Sequence, residues 1–218
     1  MRTETRPGGG FNALRRFTNP EPKKRAAEAC EMCTQEIASE HRHLVNLESR
    51  SLLCACPACY LLFTHRGAAQ GKYRAVPDRY LHLVAFKLSQ TQWDQLQIPV
   101  GIAFFFLNSS INQIAAFYPS PAGATESKLA LDSWRELADT NPILRQIEPD
   151  VEALLVLSRR GEKFDCFLVP IDACYELTGH VRQTWRGFDG GEQAWHEIDR
   201  FFEDLRANSR EYPDGEFS

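Results

Sequence analysis

What the chain lacks narrows its class first. No apolar run approaches the ~18 residues needed to span a bilayer. The longest uncharged apolar stretch, Ile98–Leu107, contains Pro99 and Gly101 and is the length of a strand. Met1–Phe17 has arginines but no apolar segment of the signal-peptide kind, so the expectation is a cytoplasmic protein without a membrane span. An excess of positive charge is also missing. The 25 Lys and Arg are outnumbered by 29 Asp and Glu, for a net charge of −4, which speaks against a global attraction to nucleic acid. The His-Glu-x-x-His, Gly-x-Ser-x-Gly, Walker A and Gly-x-Gly-x-x-Gly patterns are all absent, so no catalytic constellation announces itself.

Cysteine is scarce over most of the chain: residues 60–218 hold only Cys166 and Cys174. The other five lie within thirty residues, as Cys30-Glu-Met-Cys33 and Cys54-Ala-Cys56-Pro-Ala-Cys59. A Cys-x-x-Cys turn aims two thiolates at one point, and two such turns complete a tetrahedron of sulfur, a ligand set that zinc and iron favour. The 22 residues between Cys33 and Cys56 are close to the zinc-ribbon spacing. Seven cysteines in a reducing compartment argue for thiolate ligands over a disulfide framework. Cys30, Cys33, Cys56 and Cys59 are therefore the expected metal ligands. Zinc is the first metal and iron the alternative, because Cys56-Pro-Ala-Cys59 carries the proline of rubredoxin turns. The glycine that usually follows such pairs is replaced by Thr34 and Tyr60. Cys54 is surplus to one tetrahedron. It, His41 and His43 are alternate ligands, with a supporting hydrogen bond to a thiolate as the other role for the histidines. Cys166 and Cys174 are expected in the core, and His180 and His196 on helix surfaces.

The polar and charged patterning divides the chain into a flexible arm (1–25), a cysteine-rich module with its connection (26–79), a main domain (80–208) and an acidic tail (209–218). In the main domain Leu81–Leu88 has strand composition, and Thr91-x-x-Asp94 resembles a helix start that turns Trp93 and Leu96 inward. Ile102–Leu107 and Gln113–Tyr118 form a hairpin about Asn108–Asn112; Pro119–Ser127 is a loop; Ser133-x-x-Glu136 is a capping box. Ala153–Ser158 and Phe164–Val169 form a second hairpin. Asp172 caps a helix with Cys174, Leu177, Val181 and Trp185 on its apolar face, and Glu192–Ala207 is the last helix. The two hairpins and their closing Pro119 and Pro170 recur at an offset of 51 residues, as a duplicated helix–hairpin unit would. The fold class is α+β: a small four-cysteine ribbon, then a mixed, mainly antiparallel sheet with helices packed on it.

Several stretches together carry a family resemblance. They are the two cysteine clusters, His41-Arg-His-Leu44, Val76-Pro-Asp-Arg79, Ile98-Pro-Val-Gly-Ile-Ala-Phe104, Tyr118–Ser127, Pro149-Asp-Val-Glu-Ala-Leu-Leu155 and Val169-Pro-Ile-Asp172. Over about residues 28–207 the chain resembles an uncharacterised bacterial family of unknown function whose members are encoded beside uptake [NiFe]-hydrogenase genes. The resemblance implies a protein partner, a hydrogenase subunit or maturation factor; an Arg beside a His or aromatic residue makes His41–Leu44 or the Trp185–Gly191 corner the expected contact. Three functions compete: a non-catalytic metal-binding accessory or adaptor protein, a rubredoxin-like electron carrier, and a thiol-dependent enzyme using Cys54.

Overall fold

A computed structural model describes residues 28–65, 67–127, 131–159, 163–187 and 190–213, apart from the side chains of 131–133. The arm expected over 1–25 and the end of the acidic tail, 214–218, lie outside the described residues.

The elements run β1 (Arg42–Asn46), β2 (Ser51–Ala55), α1 (Pro57–Leu62), a 3-10 turn (Ala68–Gly71), β3 (Tyr73–Ala75), β4 (Leu81–His82), α2 (Gln90–Gln95), β5 (Ile102–Asn108) and β6 (Gln113–Ser120). Next come β7 (Gly123–Ser127), α3 (Leu131–Thr140), a 3-10 turn (Pro142–Gln146), β8 (Glu152–Leu157), β9 (Asp165–Pro170), α4 (Ile171–Thr184), α5 (Gly191–Asn208) and β10 (Arg210–Glu211). Two sheets result. The small one has the order β2-β1-β3, and the large one β10-β4-β9-β8-β5-β6-β7. All neighbours in the large sheet are antiparallel except β10 and β4, so the fold is α+β with a mixed, mainly antiparallel sheet.

Period-two alternation splits the core into two layers around this sheet. Phe104, Leu155, Phe167 and Val169 face α4 and α5, meeting Cys174, Leu177, Val181, Ile198 and Phe202. Ala103, Phe105, Leu154, Val156 and Leu168 face the other way, onto Trp93 of α2, Trp134 and Leu137 of α3, and Ile143 and Leu144. Every residue of β8 is buried, which is why its sequence reads as an unbroken apolar run after Glu152. Cys166 and Cys174 are buried in opposite layers, as the core reading expected.

The two hairpins stand side by side, and Phe104 pairs directly with Leu155, the residue 51 positions on. The correspondence then slips by one. Phe104 opposes Phe117, whereas Leu155 opposes Phe167, not Leu168. A one-residue slip moves a whole strand's side chains to the other face, so β6 and β9 present different sets to the helices.

Four local expectations change. The strand expected over Leu81–Leu88 is only two residues long, because Phe86 N–H turns back to the Leu83 carbonyl. α2 is capped by Ser89 with Gln92 in a reciprocal capping box, two residues before the expected Thr91, with the same chemistry. α3 begins at Leu131, so Ser133 lies inside its first turn. Pro119–Ser127 is not a loop: β6 continues through Pro119, and β7 pairs with it. Pro119 is tolerated there because the β5–β6 pairing has already ended at Phe117, leaving no ladder bond to lose on that side.

The module and the main domain share a core. Leu44 of β1 points into the module's own cluster with Ala55 and Phe63, while its neighbour Val45 points into the α4–α5 layer, as does Val76. Arg74 donates to the Pro149 carbonyl at 2.6 Å, and Arg79 grips the buried Glu152. No helix among the described residues is long and apolar enough to cross a membrane.

Candidate metal centre

The first cysteine pair sits on a tight reversal. Cys30 N–H donates to the Gln35 carbonyl at 2.8 Å and Thr34 N–H to the Cys30 carbonyl at 2.7 Å. Thr34 has φ +64°, the left-handed conformation for which such turns commonly use glycine. The chain therefore makes the turn that its sequence lacks glycine for, with a β-branched residue in a strained conformation.

The second pair is built differently. Cys56 is the N-cap of α1, Pro57 occupies its first position, and Cys59 N–H donates to the Cys56 Sγ at 3.4 Å. Proline is pre-set for that position, and the following Tyr60 is helical, so glycine is not required. The helix N-terminus also directs partial positive charge at the Cys56 sulfur.

These two turns bring the Sγ atoms of Cys30, Cys33, Cys56 and Cys59 within 4.8 Å of one another, with Cys33 and Cys56 3.7 Å apart. That is the set expected from the spacing, and it fits a tetrahedral thiolate-loving cation. Cys30 and Cys56 are buried, Cys59 is half-buried and Cys33 is exposed. Burial pushes the Cys30 thiol up, but hydrogen bonds with the backbone of Cys56, Met32 and Cys33 outweigh it and bring it down to about 6. Its hydrogen bond to Cys33, then burial and the sulfurs of Cys56 and Cys30, push the Cys59 thiol up to about 12. One thiolate is thus easily formed, and further negative charge beside it is resisted until a cation arrives.

His41, His43 and Cys54 do not enter this tetrad. They make a separate group whose ligand atoms also lie within 4.8 Å of one another. The sequence reading missed what orders them. Asp172, expected to cap α4, lies in its first turn instead. It accepts a hydrogen bond from His43 Nδ1 at 2.9 Å, across 129 residues of chain. Only tertiary packing reveals such a pair; the one signal in the sequence was an acidic residue at a helix start. Burial, then Glu31 and Glu28, push the Cys54 thiol up, the reverse of what an activated nucleophile needs.

The two surfaces expected to meet a partner look different in three dimensions. Leu44 is wholly buried, so it offers nothing to a partner. At the other corner Trp185 Nε1 donates to the Gly187 carbonyl, and its ring lies where a Cβ on Gly190 would meet it at 3.0 Å. Gly190, at φ +91°, is thus needed to turn α4 into α5. Phe188 lies outside the described residues. Two large apolar side chains, Leu61 and Leu62, are exposed on α1 just after Cys59 in the chain.

No curated protein and no solved structure matches the chain. Residues 29–209 match one family, a span that holds all four clustered thiolates, both flanking histidines and every element of both sheets but the last strand. The chain belongs to this family, the family of unknown function DUF5947.

Proposed function

We propose that this is a non-catalytic, zinc-binding accessory or adaptor protein serving assembly or attachment of a [NiFe] hydrogenase. The observation that carries the metal-binding part is the convergence of four cysteine sulfurs from two turns. Four thiolates fill a tetrahedral coordination sphere, so a cation held there stabilises the fold and offers no position to a substrate. The stabilised part is a small sheet with a core of only a few side chains, which needs such a staple. The hydrogenase part rests on the family resemblance carried by the sequence stretches quoted above. Deleting the gene should lower hydrogenase activity or mislocalise it while leaving general growth intact, and a hydrogenase subunit or maturation factor should co-purify with the tagged chain. Wild-type hydrogenase level, activity and location in the deletion strain, with no hydrogenase protein in the pull-down, would overturn it.

A second reading, a rubredoxin-like electron carrier, draws on one observation. Cys33 is exposed, and the exposed Leu61 and Leu62 follow Cys59 on α1. A sulfur-bound iron reached through an apolar surface patch suits transient electron exchange. Colour separates the two readings: ferric thiolate absorbs in the visible and zinc thiolate does not. The reading as carrier further requires a reversible one-electron couple that zinc replacement abolishes without unfolding the protein.

A further inference from the structure

We infer that His41, His43 and Cys54 form a second metal site, distinct from the four-thiolate site, which binds one zinc-class divalent cation and leaves a coordination position open to the adjoining cavity.

The backbone places the three side chains together. In the β1–β2 ladder His43 is the direct cross-strand partner of Cys54. His41 precedes His43 by two residues, and the two rings have centroids 4.8 Å apart. One ligand atom from each residue lies within 4.8 Å of the others.

Hydrogen bonding then fixes which nitrogens are free. His41 Nδ1 lies 3.0 Å from the Ala38 carbonyl. A carbonyl only accepts, so Nδ1 carries a proton, and in the neutral imidazole Nε2 keeps its lone pair. That Nε2 is buried and has no hydrogen-bond partner among the described residues, on a side chain only 9% exposed. An unsatisfied acceptor in such a place is destabilising, and a cation satisfies it. His43 repeats the arrangement. Its Nδ1 donates to the Asp172 carboxylate at 2.9 Å, which leaves Nε2 of the neutral ring as the atom free to ligate. Backbone carbonyls and carboxylates orient metal-bound imidazoles in this way. The Glu28 carboxylate, 3.3 Å from His41 Nδ1, adds a second outer anion. One thiolate and two neutral imidazoles leave a divalent cation with one unit of positive charge, which Asp172 and Glu28 offset.

The donor set selects the metal class. Two imidazoles and a thiolate suit zinc and its neighbours in the first transition row, not magnesium or calcium. The count selects the behaviour. The tetrad supplies four protein ligands and closes; this group supplies three, the number at which zinc keeps a position for water or another donor. A cavity of about 600 Å³ lies beside it, with His41, His43, Asp172, Tyr80 and the Arg42–Asp78 ion pair in its wall.

Metal counting on the full-length chain tests this. The metal-free protein titrated with Co²⁺ should take up two equivalents, and the zinc-loaded protein should show both sulfur neighbours near about 2.3 Å and nitrogen neighbours near about 2.0–2.1 Å by X-ray absorption. His41→Phe and Cys54→Ser should each bind one equivalent and lose the nitrogen shell while keeping the tetrathiolate cobalt spectrum. That retained spectrum also reports that the module still folds. His43→Gln serves as a third variant should either of these unfold. Azide should shift the spectrum of the two-cobalt protein and leave that of the Cys54→Ser protein unchanged. Uptake of a single equivalent by wild type, an all-sulfur shell at two equivalents, or two equivalents still bound by His41→Phe would overturn the second site. Indifference of the two-cobalt protein to azide would overturn its open position.

Discussion

Glu152 is wholly buried at the head of the central strand, and Arg79 is what makes that position tenable. Arg79 donates from Nε to Oε1 at 2.7 Å and from Nη2 to the other oxygen, while Glu148 N–H supplies a third bond. Removing the guanidinium strands a carboxylate away from water. Arg79→Met is therefore expected to lower unfolding stability by about 3 kcal/mol, and the double variant Arg79→Met/Glu152→Gln to recover part of it, as urea unfolding would read. The thiolates make a second prediction at this scale. Cys33 and Cys59 both have raised thiols in the metal-free chain, Cys59 to about 12, so both are protonated near neutrality. Cation binding must displace at least those two protons, and affinity rises with pH accordingly, by roughly a hundredfold between pH 7 and pH 8. Chelator competition at the two pH values checks this; a pH-independent affinity would contradict it. Replacing any one of Cys30, Cys33, Cys56 or Cys59 by serine should release the tetrad's metal.

Among the elements, the two cysteine turns show how different local chemistry reaches the same end. The first relies on Thr34 in a left-handed conformation, so Thr34→Gly is expected to stabilise the metal-loaded protein by about 0.5–1 kcal/mol; a lower thermal midpoint would count against strain there. The second relies on a helix N-terminus and needs no glycine. Much of this level was legible in advance. The pairing of Cys30/Cys33 with Cys56/Cys59, both hairpins, the buried Trp93 and Trp134, and the inward stripes of α4 and α5 follow from spacing and periodicity. The failures share a cause. β7 opens on Gly123 and has no large apolar residue, a composition that signals a loop unless a neighbouring strand supplies the ladder. The expected long strand from Leu81 was cut short because a turn competes with pairing after His82. At the candidate site, the ligand types were readable but the division into two groups was not. It depends on Asp172, Glu28 and Ala38 reaching the histidine rings from elsewhere.

Across the whole molecule, the cysteine module and the large sheet are joined through Val45, Val76, Arg74 and Arg79, and whether they behave as separate folding units is a proposal. Chelating the metal is expected to abolish amide protection in β1, β2 and α1 while β5, β8 and β9 keep theirs. Simultaneous loss in both sheets would show a single cooperative unit. The strand order has a temporal consequence. β8, the spine on which both core layers are assembled, begins at residue 152, and β4 is flanked by β9 on one side and β10 on the other, some 130 residues downstream. A chain growing on the ribosome therefore exposes all five clustered cysteines long before the surfaces that will cover Val45 and the His43 ring exist. Thiolate chemistry comes first and the hydrophobic core last. Until it closes, any cation the nascent chain takes up is held by nothing but two turns and a three-stranded scrap of sheet. Such late, long-range closure also predisposes the large sheet to slow assembly.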